Sequence, residues 1–296
     1  MTPALIPAAG TPLAPDEGVH LDGFAKQCAR FWHAGFNHIL IAGTMGAMPL
    51  LRDATWQQLI EHAMSVCPES VERFAGAGDT SFARTRDRIA YLNRFPLDGV
   101  LVLTPYFMPF SQPDLIRYFQ ALAEESRAPL YLYDLPQRTG TALEQNTVLT
   151  LAKHSNIRGI KCSGPLDDVL ALSAAIQEKG IAFRLIIAQP TALGSLVRDG
   201  FMQHLDGMYA LAPAWSRDLA AAGAAGDVSA IDQRQADLTQ LRDILRAHGG
   251  MSALTVLMNQ CGVPGNFAPQ PFTQLDAEER QRLLAEPVVQ RFIHNG

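Results

Sequence analysis

The chain has 296 residues, 48% of them hydrophobic, and its 24 lysines and arginines against 29 aspartates and glutamates leave a net charge of −5. A charged fraction of 18% is too low for a disordered chain or a solvated helical rod. A mildly acidic protein also has no overall electrostatic reason to seek nucleic acid or an anionic membrane. The length supplies one large domain or two ordinary ones, with ample material for a core.

In chain order, residues 1–18 carry no basic side chain, and proline breaks their apolar runs, so they do not read as a signal peptide. An apolar run at 4–9 reads as a first strand, 21–34 as a helix, and 38–43 as a second strand. The most apolar stretch, 39–51, is interrupted by Gly43, Thr44 and Gly46 and is too short to span a bilayer. Helical spacing follows at 55–66, then strands at 73–78 and 99–105 with a helix at 112–126. Strand 130–136, helix 143–154, strand 157–163, helix 166–179 and strands 183–189 and 207–213 complete the pattern. The eight runs start roughly 30 residues apart and are apolar throughout, as expected for parallel strands buried on both faces. After Pro213 the chain reads as helices only, at 215–225, 228–247, 252–260 and 277–285.

Two parallel architectures compete. A doubly wound nucleotide-binding sheet should show G-x-G-x-x-G, but Gly76-Ala77-Gly78 is followed by Ser81, and no ribose-binding acid follows. An α/β fold of the (β/α)8 TIM barrel type, with a C-terminal helical extension, accounts for eight runs at this spacing. Residues 1–225 are expected to form the barrel with its active site, and 226–296 the extension.

Chemistry in such a barrel belongs to the C-terminal ends of the strands and the loops that follow. The eight histidines are scattered, and Cys28, Cys67, Cys162 and Cys261 lie far apart without C-x-x-C spacing. No metal site is therefore expected, and the thiols read as reduced, in a cytoplasmic protein. No G-x-S-x-G elbow is present. Only four basic residues are lysines, namely Lys26, Lys153, Lys161 and Lys179; the other twenty are arginines. Three lie in polar, helix-like surroundings, whereas Lys161 ends the sixth apolar run. A lysine pointing into a barrel loses hydration, which disfavours the ammonium and leaves an amine able to attack a ketone. The alternative is a lysine that caps its strand and reaches solvent. Tyr133, at the end of the fifth run, could shuttle a proton to such an amine, or it could be a hydrogen-bonded core tyrosine. Gly43-Thr44-Met45-Gly46 could offer backbone N–H groups and a hydroxyl to a carboxylate, or it could be an ordinary βα turn.

Four segments together resemble one family. Leu132-Tyr133-Asp134-Leu135-Pro136-Gln137-Arg138-Thr139-Gly140 is similar to the Y-N-x-P-x-R-T-G segment of the dihydrodipicolinate synthase/N-acetylneuraminate lyase superfamily. Gly159-Ile160-Lys161-Cys162-Ser163-Gly164 resembles its G-[IV]-K-x-[ST]-[SG] Schiff-base strand. Gly43-Thr44-Met45-Gly46-Ala47 resembles its G-[TS]-T-G-E loop, and Thr104-Pro105-Tyr106-Phe107 its T-P-Y-Y segment. The motifs run in order from the N-terminus to about Pro213.

The resemblance implies a metal-free class I aldolase or lyase acting on a small 2-oxo acid, with no cofactor beyond a covalent lysine imine. It also implies a homo-oligomer, usually a dimer of dimers. By position, Lys161 would form the imine with pyruvate or a pyruvate-like moiety, Tyr133 would carry the proton, and Thr44 would hydrogen-bond Tyr133. The Thr44-Met45 backbone, between Gly43 and Gly46, would hold the carboxylate. Arg138 would face the second substrate, and the Tyr209 backbone would line the imine pocket. Tyr106 and Phe107 occupy the subunit-interface and relay position. Met45, Ala47, Phe107 and Asp134 depart from the family's Thr, Glu, Tyr and Asn. The missing hydroxyls of Met45 and Phe107 point away from dihydrodipicolinate synthase proper and towards a different 2-oxo-acid aldolase. A barrel that binds 2-oxo acids with little turnover is the other reading.

Overall fold

The structure, a computed structural model, describes residues 2–295. Its eight strands are β1 (Ala4–Pro7), β2 (His38–Ile41), β3 (Glu72–Gly76), β4 (Gly99–Leu103), β5 (Leu130–Asp134), β6 (Ile157–Cys162), β7 (Arg184–Ile187) and β8 (Gln203–Asp206). They alternate with helices and pair in parallel, and further helices follow β8, which is the (β/α)8 TIM-barrel architecture with a C-terminal helical extension. The chain divides into two compact units, residues 1–71 with 190–296, and residues 72–189.

In the first unit, β1 pairs with β8, setting Ile6 against Leu205, and Ala8 bridges to Leu40 at the end of β2. Helix Leu21–His33 places Phe24, Cys28 and Phe31 on one buried stripe, the spacing its sequence dictates. The later helices Pro213–Ala225, Val228–Ala247, Met251–Gln260, Ala277–Ala285 and Pro287–Asn295 carry their own apolar faces. Val288, Val289 and Phe292 of the last are fully buried, with Phe292 edge-on to Trp215 at 5.7 Å.

The eighth strand lies earlier than the apolar run at 207–213 indicates. Residues Gly207–Leu211 form a short helix, because the Asp206 carboxylate accepts the Met208 N–H at 2.8 Å and caps it. The strand proper, Gln-His-Leu-Asp, is masked in sequence by three polar residues. One of these, His204, is fully buried; its Nε2 lies 2.8 Å from the Phe201 carbonyl, and its Nδ1 meets no partner among the described residues.

In the second unit the strands run β3–β4–β5–β6–β7. Helix Gln112–Glu125 covers them with Leu115, Phe119 and Leu122, and starts at a reciprocal cap between Ser111 and Asp114. Helix Phe82–Leu92 is polar on its outer face and buries Thr85, Arg88, Ile89 and Leu92. At the N-terminal ends of the outermost strands, Arg184 of β7 and Glu72 of β3 form a two-pronged ion pair, 2.5 and 3.0 Å. The Arg184 guanidinium also lies 5.3 Å from the Phe74 ring. A pair linking the two edge strands of a five-stranded sheet requires that sheet to curl.

Candidate active site

Register puts Lys161 beside Tyr133. Leu130 pairs with Ile157, but Tyr131 pairs with Gly159, so one residue of β6 is skipped. That residue, Arg158, is exposed. Without the irregularity Tyr133 would face Ile160; with it, Tyr133 faces Lys161 and Asp134 faces Cys162. The Lys161 Nζ donates to the Tyr133 Oη at 2.8 Å and sits 4.0 Å from the Tyr133 ring centroid. Lys161 is 5% exposed and Tyr133 4%. The other three lysines are exposed, so Lys161 is the buried amine of the chain.

Two residues earlier on each strand, the Tyr131 ring lies over Gly159 and Gly99, and a Cβ at either glycine would fall 2.7 Å from it. The ring also meets Phe74 edge-on at 5.2 Å. Small residues at 99 and 159 thus admit an aromatic layer directly below the lysine.

The segment after β5 forms a short helix, Pro136–Thr139, closed by Gly140 in the left-handed region. Arg138 on this turn is exposed, and among the described residues its guanidinium makes no hydrogen bond or ion pair. Four side chains fasten the stretch that follows. Thr104 and Thr139 donate to the Thr141 carbonyl at 3.3 and 3.1 Å, Gln112 binds the Ala142 carbonyl and the Glu144 N–H, and Asp134 Oδ1 accepts the Leu143 N–H at 3.0 Å. Burial, together with the nearby Asp168 carboxylate, outweighs that hydrogen bond and pushes the Asp134 carboxyl up to about 6.

After β4, Tyr106 is half-buried while Phe107 is 89% exposed with φ of 81°, a left-handed conformation that a bulky residue rarely adopts. Burial and the Asp79 carboxylate raise the Tyr106 phenol above its ordinary range. Asp79 itself follows β3 and is held by Arg88 at 2.9 Å and Arg84 at 3.0 Å, the first of these pairs almost wholly buried. Burial opposes the Asp79 charge, but the Arg84 and Thr80 hydrogen bonds and both guanidinium charges hold its carboxyl below the usual range. Sequence reasoning missed this network. Its signal is an aspartate just before a helix that carries arginines four residues apart, on one face.

The loop after β2, in the other unit, is a tight turn bracketed by Ala42 and Ala47, both at φ of 53°. Gly46, Ala47 and Met48 spend their N–H groups on Gly43 and Thr44 carbonyls, whereas the Met45 N–H meets no acceptor among the described residues. Gly46 is pinned by Thr11, whose hydroxyl donates to its carbonyl at 2.7 Å. Thr44 and Met45 are half-buried. The Met45 thioether packs on Gly207, where a Cβ would lie 2.7 Å from the sulfur. Tyr209 sits on helix Gly207–Leu211 with its ring fully enclosed, so only its backbone is available to line a pocket. Among the described residues no three His, Cys, Asp or Glu side chains gather to hold a metal ion, and no helix is long and apolar enough to cross a membrane.

The site thus presents a buried lysine on one barrel strand, hydrogen-bonded to a tyrosine on the adjacent strand. The chain belongs to the Dihydrodipicolinate synthetase family, whose model matches residues 2–287. It is 26% identical over 278 residues to 4-hydroxy-tetrahydrodipicolinate synthase 1 of Streptomyces coelicolor, covering 93% of this chain and 90% of that protein. It is 34% identical over 168 residues to the 4-hydroxy-tetrahydrodipicolinate synthase of Methanopyrus kandleri, 56% of each chain. The match thus spans little more than half the length of the latter and of several other curated relatives. In fold, it superposes with a TM-score of 0.88 on a prophage protein of the dihydrodipicolinic acid synthase family from E. coli K12, solved in complex with pyruvate. That protein is 22% identical, and 98% of each chain is covered. A variant of Sulfolobus solfataricus 2-keto-3-deoxygluconate aldolase superposes at 0.86 with 18% identity, over 95% of this chain and 94% of that one.

Proposed function

We propose that the protein is a metal-independent class I lyase or aldolase in which Lys161 forms an imine with pyruvate or the pyruvate portion of a 2-oxo acid. The observation that carries this reading is the buried Lys161–Tyr133 contact at 2.8 Å. The neutral amine attacks the ketone carbon to give a carbinolamine; loss of water, with a proton supplied from the Tyr133 hydroxyl, gives the imine. The protonated imine withdraws electrons from the neighbouring carbon, so a proton or an aldehyde there leaves as the enamine forms, and the same site runs the reverse addition. In this reading Thr44 hydrogen-bonds Tyr133, the Met45 N–H takes the substrate carboxylate, and the unpaired guanidinium of Arg138 meets the second substrate. The exposed Phe107 turn supports a homo-oligomer, a dimer of dimers, as the working form in the cytoplasm. Family membership supports the lyase class, and the aldehyde partner is left open.

Phe107 favours a second reading. It carries no hydroxyl where the family has a relay tyrosine, which fits a barrel that binds 2-oxo acids with little turnover. Incubation with pyruvate and borohydride tests both at once. One reduced pyruvyl group should map to Lys161, and neither Lys161→Ala nor Lys161→Arg should be labelled, since arginine keeps its proton. Persistent labelling in Lys161→Ala would remove the assignment. Labelling without pyruvate release from any of a panel of 2-keto-3-deoxy acids would favour the binding protein.

A further inference from the structure

The side chain that follows Tyr133 on β5 points away from the lysine, and its surroundings are unusual for an acid. Asp134 pairs in register with Cys162 of β6, and its carboxylate is largely buried. It accepts the Leu143 N–H at 3.0 Å, and no lysine, arginine or histidine among the described residues forms an ion pair with it. The titratable groups around it are acidic: Asp168, on helix Leu166–Glu178, disfavours its charge, and burial and Asp134 itself raise the facing Cys162 thiol far above its ordinary range. Its own main-chain carbonyl accepts the Ser163 N–H at 3.0 Å, next to Lys161 in sequence but one.

Leu143 closes a segment that leaves β5 immediately after Asp134 and carries Arg138 at its tip. The other side-chain fastenings of that segment are neutral: Thr104 and Thr139 donate to the Thr141 carbonyl, Gln112 binds Ala142 and Glu144, and Gln137 donates to the Ser163 carbonyl just past β6 at 2.9 Å. Among the described residues Asp134 is the one side chain of β5 that holds the segment's return, and it does so with a charge-assisted bond, the stronger kind.

We infer that Asp134 is a positioning residue: its carboxylate fastens the segment 135–143 to the end of β5, fixing where Arg138 stands relative to Tyr133 and Lys161. The carboxyl titrates near pH 6, so the charge behind the bond is present at pH 7.5 and mostly neutralised at pH 5. Asparagine is the isostere that keeps the acceptor oxygen without the titration.

What the segment recognises rests on the lyase reading, but how it is held does not, and the two are tested by separate measurements. Hydrogen–deuterium exchange followed by mass spectrometry, on the full chain without substrate, should place the Leu143 amide among the protected ones at pH 7.5. After correction for intrinsic exchange, its protection should fall about tenfold at pH 5. In Asp134→Asn it should be equal at the two pH values. In Asp134→Ala it should be low at both, with the peptides of helix Leu21–His33 unchanged. Protection at Leu143 that is the same in parent and Asp134→Ala, or a loss spread over the whole chain, overturns the inference. The second readout is kcat/KM for a cleavable 2-keto-3-deoxy acid, the kind of substrate Arg138 would meet. Its parent pH profile should carry a limb near pH 6 that Asp134→Asn removes, and a limb retained in Asp134→Asn also overturns the inference. A parent that exchanges no pyruvate protons overturns the lyase reading instead, and Leu143 then decides the clamp by itself.

Discussion

Replacing Tyr133 by phenylalanine removes one atom from the proposed proton path and little else. The ring is 4% exposed and lies 4.0 Å below the Lys161 Nζ, so phenylalanine keeps both the packing and the amine–ring contact. The hydroxyl that accepts from the Nζ at 2.8 Å is lost. A hydrogen bond of this kind contributes about 1–3 kcal/mol to stability, which bounds the structural effect. A positioned general acid–base group contributes about 10²–10⁴ in rate, or roughly 3–5 kcal/mol of barrier, so kinetics should respond more than folding. Proton NMR of pyruvate in D2O measures the step without an aldehyde, since each enamine that re-protonates takes deuterium at C3. Exchange should slow by about two to four orders of magnitude, while prolonged incubation with borohydride still labels Lys161. Exchange within about threefold of the parent, in a variant with unchanged thermal unfolding, would show that Tyr133 is a structural neighbour of the lysine and not its proton carrier.

Phe107→Tyr returns the hydroxyl that the family relay uses, and should raise the rate of pyruvate C3 exchange more than it changes the yield of trapped imine; no gain would mean that protons reach this site by another route. Arg138→Ala should leave stability within about 0.5 kcal/mol, because the guanidinium has no protein partner to lose, yet lower kcat/KM for a cleavable 2-keto-3-deoxy acid by about ten- to a hundredfold with pyruvate trapping little changed. Equal losses in trapping and cleavage would assign it to holding the loop. His204 gives a pH test of the fold: burial lowers its imidazole from 6.5 to about 4, so the fold favours the neutral ring. The stability this represents is complete above the unfolded value and is lost as pH falls from about 6.5 towards 4, a difference of about 3 kcal/mol. Urea unfolding at pH 7.5 and 4.5 should show that slope in the parent and a shallower one in His204→Gln, and identical slopes would refute the assignment.

The strands that hold the lysine and the tyrosine are legible because their residues largely obey one rule, continuous apolarity, which β6 breaks only at Arg158 and Lys161 and β5 at its last residue, Asp134. Lys161 stands out against Ile160 and Cys162 for that reason. The eighth strand breaks the rule: His204 and Asp206 bond locally, one through Nε2 at the Phe201 carbonyl and the other as a helix cap, and the apolar run that follows is a helix. The site is less legible than the strands. Arg158 stands out as a charge in an apolar run, but its type does not say that the register skips it, which sets whether Lys161 or Ile160 faces Tyr133. Nor do alanines at 42 and 47 announce left-handed backbone, because that conformation is imposed by the turn they bracket. The Asp134–Leu143 bond spans nine residues and depends on the path of the loop between them, which sequence spacing does not specify.

Under the lyase reading, the protein would work among reagents for its own amines. Lys26, Lys153 and Lys179 are the only side-chain amines this chain exposes, and Lys26 is occupied with Asp22 at 2.8 Å. Twenty guanidinium groups supply the remaining positive charge, and these stay protonated and do not condense with ketones as amines do. Solubility and surface ion pairing are thereby uncoupled from nucleophilicity. The molecule thus exposes few primary amines to imine-type adducts, and under the lyase reading an aldehyde product would find few surface lysines to condense with.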